Sequence, residues 1–147
     1  EKAFNQLAVR GRSVDEIRQY LKKKNFSEKH IEETLDYLKG KGYLNDYDFS
    51  MSLVKAKLKA GKSGKDIIVR DLYRKGIGRK IIDKVIRESG ADVTDEDALY
   101  ELAMKKYKSV KDKENSFMKV SNFLRGRGFD YESIRRVLRR IKSDFEE

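Results

Sequence analysis

His30 is the only histidine in a chain of 147 residues that contains no cysteine. Glu28, Lys29, Glu32 and Glu33 flank it, so a carboxylate lies within helical reach. A zinc site needs three or four His, Cys or carboxylate ligands at defined spacing, and no second imidazole or thiolate is present to complete one. His30 therefore reads as an exposed helix residue. The serine hydroxyls stand without a base to activate them, and a cysteine nucleophile is ruled out. Gly61-Lys62-Ser63-Gly64-Lys65 has the look of a phosphate loop, but its glycines are too close together and no strand precedes them. Aspartates and glutamates mostly lie three or four residues from a Lys or Arg, as in Arg79/Asp83/Arg87, the pattern of a solvated helix face. These residue types argue against an enzyme, and no metal or cofactor is expected.

The chemistry that remains is that of cations. Lys and Arg number 35 against 25 Asp and Glu, a formal charge of +10. The excess is uneven: residues 47–91 hold twelve basic and five acidic side chains, whereas the segments on either side are nearly balanced. Such a charge attracts polyanions or acidic protein surfaces. The candidate binding residues are Arg79, Lys80, Lys84 and Arg87, with Lys57, Lys59, Lys62 and Arg70 adjacent, and Arg135, Arg136, Arg139 and Arg140 further on. Neither 79–88 nor 130–142 offers the Asn or Gln that reads adenine edges, so phosphate contact to single- or double-stranded DNA without sequence preference is the expectation. Phe26, Phe129, Phe123 and Tyr20 fall where a core is wanted, while Tyr73 and Tyr131 lie off the apolar stripe.

The elements carrying these residues emerge from a repeat. Ile17, Leu21, Phe26, Ile31 and Leu35 have the same spacing as Ile68, Leu72, Ile77, Ile82 and Ile86, and as Val120, Leu124, Phe129, Ile134 and Leu138. Before each central apolar residue sits Asn25, Gly76 or Gly128, residue types that tolerate the left-handed conformation closing a helix. Ser27, Gly78 and Asp130 then follow as N-caps for the next helix. Each copy is thus helix, tight turn, helix. A further helix precedes each pair, around Phe4 to Val9, Asp46 to Leu58 and Thr94 to Tyr107. Thr94 through Asp97 supplies a cap with an acidic first turn, and Ser13 with Glu16 a capping box.

Nine helices in three tandem three-helix repeats, 1–46, 47–91 and 92–147, forming an elongated all-α array, are expected. The complete absence of proline suits a chain that is helical nearly throughout. No stretch approaches the ~18 apolar residues of a membrane span, and a monomer in the cytoplasm is anticipated. The third helix of each copy differs in dress. Its polar face carries Glu28, Glu32, Glu33 and Asp36 in the first, Arg79, Lys80, Lys84 and Arg87 in the second, and Arg135, Arg136, Arg139 and Arg140 in the third.

Several segments resemble the RecX family. Gly11-Arg12-Ser13-Val14-Asp15-Glu16-Ile17-Arg18-Gln19-Tyr20-Leu21 is similar to the opening of those proteins, as are Lys24-Asn25-Phe26-Ser27, Leu35-Asp36-Tyr37-Leu38 and Gly42-Tyr43-Leu44-Asn45-Asp46-Tyr47-Asp48-Phe49. Arg70-Asp71-Leu72-Tyr73-Arg74-Lys75-Gly76-Ile77 resembles the second repeat of the family and Arg125-Gly126-Arg127-Gly128-Phe129 the third. Asp71 stands where the other copies have Tyr20 and Phe123, and Asn25 where the family usually has Gly. The resemblance implies an all-helical regulator of the RecA recombinase that binds in the groove of the RecA–DNA filament. It implies suppression of ATPase, coprotease and strand-exchange activities, with no catalytic residue or cofactor. Direct, non-specific DNA binding is the alternative reading.

Overall fold

The computed structural model describes residues 11–145. Among these residues eight helices run in order: α1 (Val14–Lys23), α2 (Glu28–Gly40), α3 (Asp46–Ala60), α4 (Lys65–Arg74), α5 (Arg79–Ser89), α6 (Glu96–Val110), α7 (Ser116–Gly126) and α8 (Tyr131–Phe145). No strand occurs among the described residues. The helix expected around Phe4 to Val9 lies outside them.

The repeated turn has one geometry in all three copies. Asn25, Gly76 and Gly128 take φ of 64°, 77° and 88°. The next amide reaches back to the helix it leaves: Phe26 N–H donates to the Leu21 carbonyl at 3.3 Å, Ile77 to Leu72 at 3.1 Å and Phe129 to Leu124 at 3.2 Å. A second bond joins Asn25 to Lys22, Gly76 to Tyr73 and Gly128 to Arg125, each at 3.0 Å. This pair of bonds is the Schellman closure of a helix. The apolar positions on either side are mostly buried, including Ile17, Leu21, Ile31 and Leu35, Ile68, Leu72, Ile77, Ile82 and Ile86, and Val120, Leu124 and Ile134. Phe26 departs from this pattern. It is 40% exposed, whereas Ile77 at the same position of its copy is 2% exposed.

The chain divides into two compact units. The first comprises the chain up to Leu53 together with Asp71–Val85. Its core is Ile17, Leu21, Ile31, Leu35, Leu38 and Leu44, with Val14 and Tyr20 packed against it. Ser13 begins α1 as foreseen: its hydroxyl accepts from Glu16 N–H at 3.1 Å, and Glu16 accepts from Ser13 N–H at 3.2 Å. The same hydroxyl donates to the Lys75 carbonyl at 2.6 Å. Arg12 and Lys75 each lie 3.3 Å from the Glu16 carboxylate. Burial raises the pKa of Glu16, but the Ser13 amide, Lys75 and Arg12 outweigh it and leave the group below 4.5. Asp46 shows the opposite balance. Burial holds it above 3.8 although its carboxylate accepts from Val14 N–H at 2.8 Å.

The second unit comprises Val54–Arg70 and Ile86 onward. Leu99, Ala103, Val110, Val120, Leu124, Ile134, Val137 and Ile141 form its core, where α6, α7 and α8 pack on one another. Asp95, rather than Thr94, caps α6; its carboxylate accepts from the amides of Asp97 and Ala98 at 3.1 Å. The Thr94 hydroxyl instead donates to Asp130 at 3.0 Å, and Asp130 caps α8 by accepting from Ser133 N–H at 2.9 Å. A carboxylate accepts two amide hydrogens more strongly than a hydroxyl accepts one, which leaves Thr94 available for the longer-range bond.

Candidate nucleic-acid interface

Helix α5 starts after Gly78, whose carbonyl accepts from Ile82 N–H at 3.0 Å. Ile82, Val85 and Ile86 are buried. At about 100° per residue, Arg79, Lys80, Arg87 and Lys84 spread over an arc of roughly 140° on the other side of the helix. All four are exposed. Arg79 lies 3.9 Å from Asp83 in an open i, i+4 pair, a geometry worth little in water. Arg87 does not join this pair, contrary to the pairing expected for it. Lys84 sits over the Tyr47 ring, 4.9 Å from its centroid. Lys80 and Arg87 have no carboxylate partner among the described residues, so no ion pair there neutralises them. Of the neighbouring candidates, Lys59, Lys62 and Arg70 are exposed and Lys57 is half-buried.

Helix α8 treats its four arginines differently. Arg136 pairs with Glu96, which raises its pKa, and also reaches the Ser133 hydroxyl at 3.3 Å. Arg140 bonds Asp97 at 3.0 Å and lies over the Tyr100 ring, 3.9 Å from the centroid. The Tyr100 hydroxyl donates to Asp144 at 2.5 Å, and that bond raises the phenol pKa. Arg136 and Arg140 are thus joined to the acidic start of α6. Arg135 has only its own-helix neighbour Glu132 at 3.4 Å, and Arg139 has no partner among the described residues. Of the four arginines, Arg135 and Arg139 are the two not joined to α6.

Three cations escaped the sequence reading: Lys105, Lys106 and Arg127, which line one pocket with Lys62 and Phe123. Their sequence signal is slight, a Lys pair in mid-helix and an Arg at the turn. Of the aromatics left open, Tyr73 and Tyr131 are both exposed, at 52% and 65%. His30 is exposed, and its amide serves the Ser27 cap at 3.3 Å. No group of three or more His, Cys, Asp or Glu that could hold a metal occurs among the described residues. No described helix is long and apolar enough to cross a membrane.

The fold is an all-α array of three-helix repeats, and the candidate site is a set of basic helix faces. Two family descriptions match the chain: the first three-helix domain of RecX over residues 1–38 and the third over residues 94–138. The regulatory protein RecX of Clostridioides difficile (strain 630) is 36% identical over 142 residues, covering 95% of this chain and 66% of that protein. That of Pelodictyon phaeoclathratiforme is 31% identical over 140 residues, covering 93% of this chain and 84% of its relative. The crystal structure of RecX from Lactobacillus salivarius superposes with a TM-score of 0.84 at 23% identity, over 96% of this chain and 92% of the other. A second crystal structure, of regulatory protein RecX, gives a TM-score of 0.83 at 22% identity over 92% and 69%. The chain belongs to the RecX family.

Proposed function

We propose that this chain is a non-catalytic regulator that binds RecA–DNA filaments in their helical groove and inhibits ATP hydrolysis, coprotease action and strand exchange. Its three repeats, 1–46, 47–91 and 92–147, engage the filament as a monomer in the cytoplasm, and the basic helix of the second repeat faces DNA. Family membership supports the partner. The observation that carries the DNA contact is the α5 arc, where Lys80 and Arg87 have no carboxylate to answer them among the described residues and Arg79 has only a loose one. Arg135 and Arg139 extend the same chemistry on α8. Phosphate contacts of this kind give affinity without sequence preference.

The test is RecA ATP hydrolysis on single-stranded DNA with and without sub-stoichiometric protein. Inhibition is expected, and its loss on changing Arg79, Lys80, Lys84 and Arg87 together to Glu, with helicity intact. Unchanged turnover with the wild-type chain refutes the proposal. The outward cations also favour a second reading, direct non-specific DNA binding independent of RecA. That reading requires tight binding to bare DNA with a steep fall in affinity as salt rises, and strong RecA inhibition alongside weak DNA binding excludes it.

A further inference from the structure

We infer that the second unit carries a phosphate-binding pocket for a nucleic-acid backbone, built by α6, α7 and the 61–64 connector. A cavity of about 470 Å³ lined by Gly11, Arg12 and Tyr43 is larger, but its cation already answers Glu16. The pocket of about 320 Å³ lined by Lys62, Leu102, Lys105, Lys106, Ser109, Phe123 and Arg127 differs in kind. Four of its seven lining residues are cations and none is acidic. None of the four has a carboxylate partner among the described residues.

The fold dictates this convergence. Leu102, Lys105, Lys106 and Ser109 recur at three- and four-residue spacing along one face of α6. Arg127 is the C-cap of α7, one turn beyond Phe123. Lys62 is delivered by the connector, because Gly64 N–H donates to the Arg127 carbonyl at 2.7 Å and Asp66 N–H to the Gly128 carbonyl at 3.3 Å. Lys106 and Arg127 both lie over the Phe123 ring, 5.1 and 5.4 Å from its centroid. The ring attracts them and holds their charge at the pocket wall. A basic residue at one helix C-terminus is ordinary dipole compensation. Like charges from a connector and two helices around one open space are mutually repulsive, and a bound anion relieves that repulsion.

The lining chooses the anion. Three lysines and an arginine provide charge and many donors, which suits the oxygens of a phosphodiester. An acidic peptide would need acceptors and directed donors to fix its backbone, yet the one hydroxyl, Ser109, already donates to the Lys106 carbonyl at 2.6 Å. No Asn or Gln lines the pocket to read an adenine edge, and the contact inferred is to the backbone. The inference rests on the proposed contact with filament DNA for the identity of the polymer.

The experiment measures binding of a labelled oligothymidylate by fluorescence anisotropy over a series of salt concentrations. The full chain is compared with a Lys62→Gln/Lys105→Gln/Lys106→Gln variant. A milder Lys62→Gln/Lys105→Gln variant leaves the Lys106 contact with Phe123 in place. Lys22→Gln/Lys23→Gln/Lys29→Gln controls for net charge. The pocket variants should weaken binding most at low salt and lower the slope of log K against log salt by about 0.7 for each single-strand phosphate they no longer neutralise. The control should lower it less. A pocket variant with the wild-type slope overturns the inference, and so does one that loses binding only to labelled polyglutamate. RecA turnover is followed separately. Loss of inhibition in the α5 glutamate variant with an unaltered slope in the pocket variants overturns the pocket and leaves the proposed function standing. A lowered slope in a chain that never affects RecA supports the pocket alone.

Discussion

Replacing Gly64 by alanine tests whether the connector is docked as described. An added Cβ would lie 2.4 Å from the Gly128 carbonyl oxygen, 2.5 Å from its carbon and 2.6 Å from the Phe129 nitrogen. All three are backbone atoms, so no side chain can rotate away. Ordinary van der Waals contact starts near 3.4 Å, and the two backbones must therefore separate by about 1 Å. That movement stretches the 2.7 Å bond from Gly64 to Arg127 beyond hydrogen-bond range and strains the longer one from Asp66 to Gly128. Overpacking of this kind costs about 1–3 kcal/mol, and each broken backbone bond about 0.5–1.5 kcal/mol. The stiffer unfolded chain returns at most about 1 kcal/mol. The expected net loss is about 3 kcal/mol. At a urea slope of about 1.5 kcal/mol/M the midpoint falls by about 2 M. Gly126→Ala is the comparison, since its Cβ meets nothing within 4 Å; as a helical glycine it should gain about 0.5–1 kcal/mol. A Gly64→Ala midpoint within about 0.3 M of wild type refutes the docking, and with it the delivery of Lys62 to Arg127.

Ser50 is fully buried and its hydroxyl has no partner among the described residues, so Ser50→Ala should raise stability by about 1 kcal/mol in urea titration; a decrease would show that the hydroxyl is bonded. Arg140→Ala should lower stability by about 1 kcal/mol, because it removes both the Asp97 pair and the Tyr100 contact. Arg139→Ala should leave stability unchanged and weaken binding to DNA, and the reverse ordering would overturn the division of the α8 arginines. For Asp130, burial raises the pKa, but the amide and hydroxyl of Ser133 and the hydroxyl of Thr94 together bring it below 3.8. The folded state thus prefers the carboxylate, and the stability it contributes is complete above 3.8 and lost as the pH falls through the lower folded value. Asp130→Ala should therefore cost about 1 kcal/mol at pH 7 as a missing cap and less once the pH falls through the lowered folded value, measured by thermal unfolding from pH 7 into the acid range.

The fold was legible because its determinants are local. The turns at Asn25, Gly76 and Gly128 could be placed from the residue type and the apolar residue after each, and all three have positive φ and the same pair of closing bonds. Where a determinant is not local, residue type and spacing do not reveal it. Thr94 and Asp95 are both good caps on composition, and only the distant Asp130 shows why Thr94 is drawn elsewhere. Phe26 and Ile77 occupy the same position in their copies, yet one is 40% exposed and the other 2%. Spacing marks which side of the chain a residue faces, not how deeply it is buried.

The basic surface was legible only as an inventory. Arg135, Arg136, Arg139 and Arg140 look equivalent along α8, and pairs 40 and 43 residues apart in sequence join Arg136 and Arg140 to α6. Such pairs cannot be read from helical spacing, which reports only neighbours three or four residues away. The same limit hid the pocket, since the contact that brings Lys62 to Arg127 runs through two glycines with no side chain to signal it. Each copy's frame is set by five apolar positions and one turn, leaving the exposed positions of its last helix free to vary. One copy has used that freedom for acids, one for cations without firm partners, and one for cations half committed to its own core helices. A binding surface in this fold is therefore defined by which charges remain uncompensated after packing. By that measure α5 and the α6–α7 pocket, more than α8, are the proposed contacts of an anionic partner.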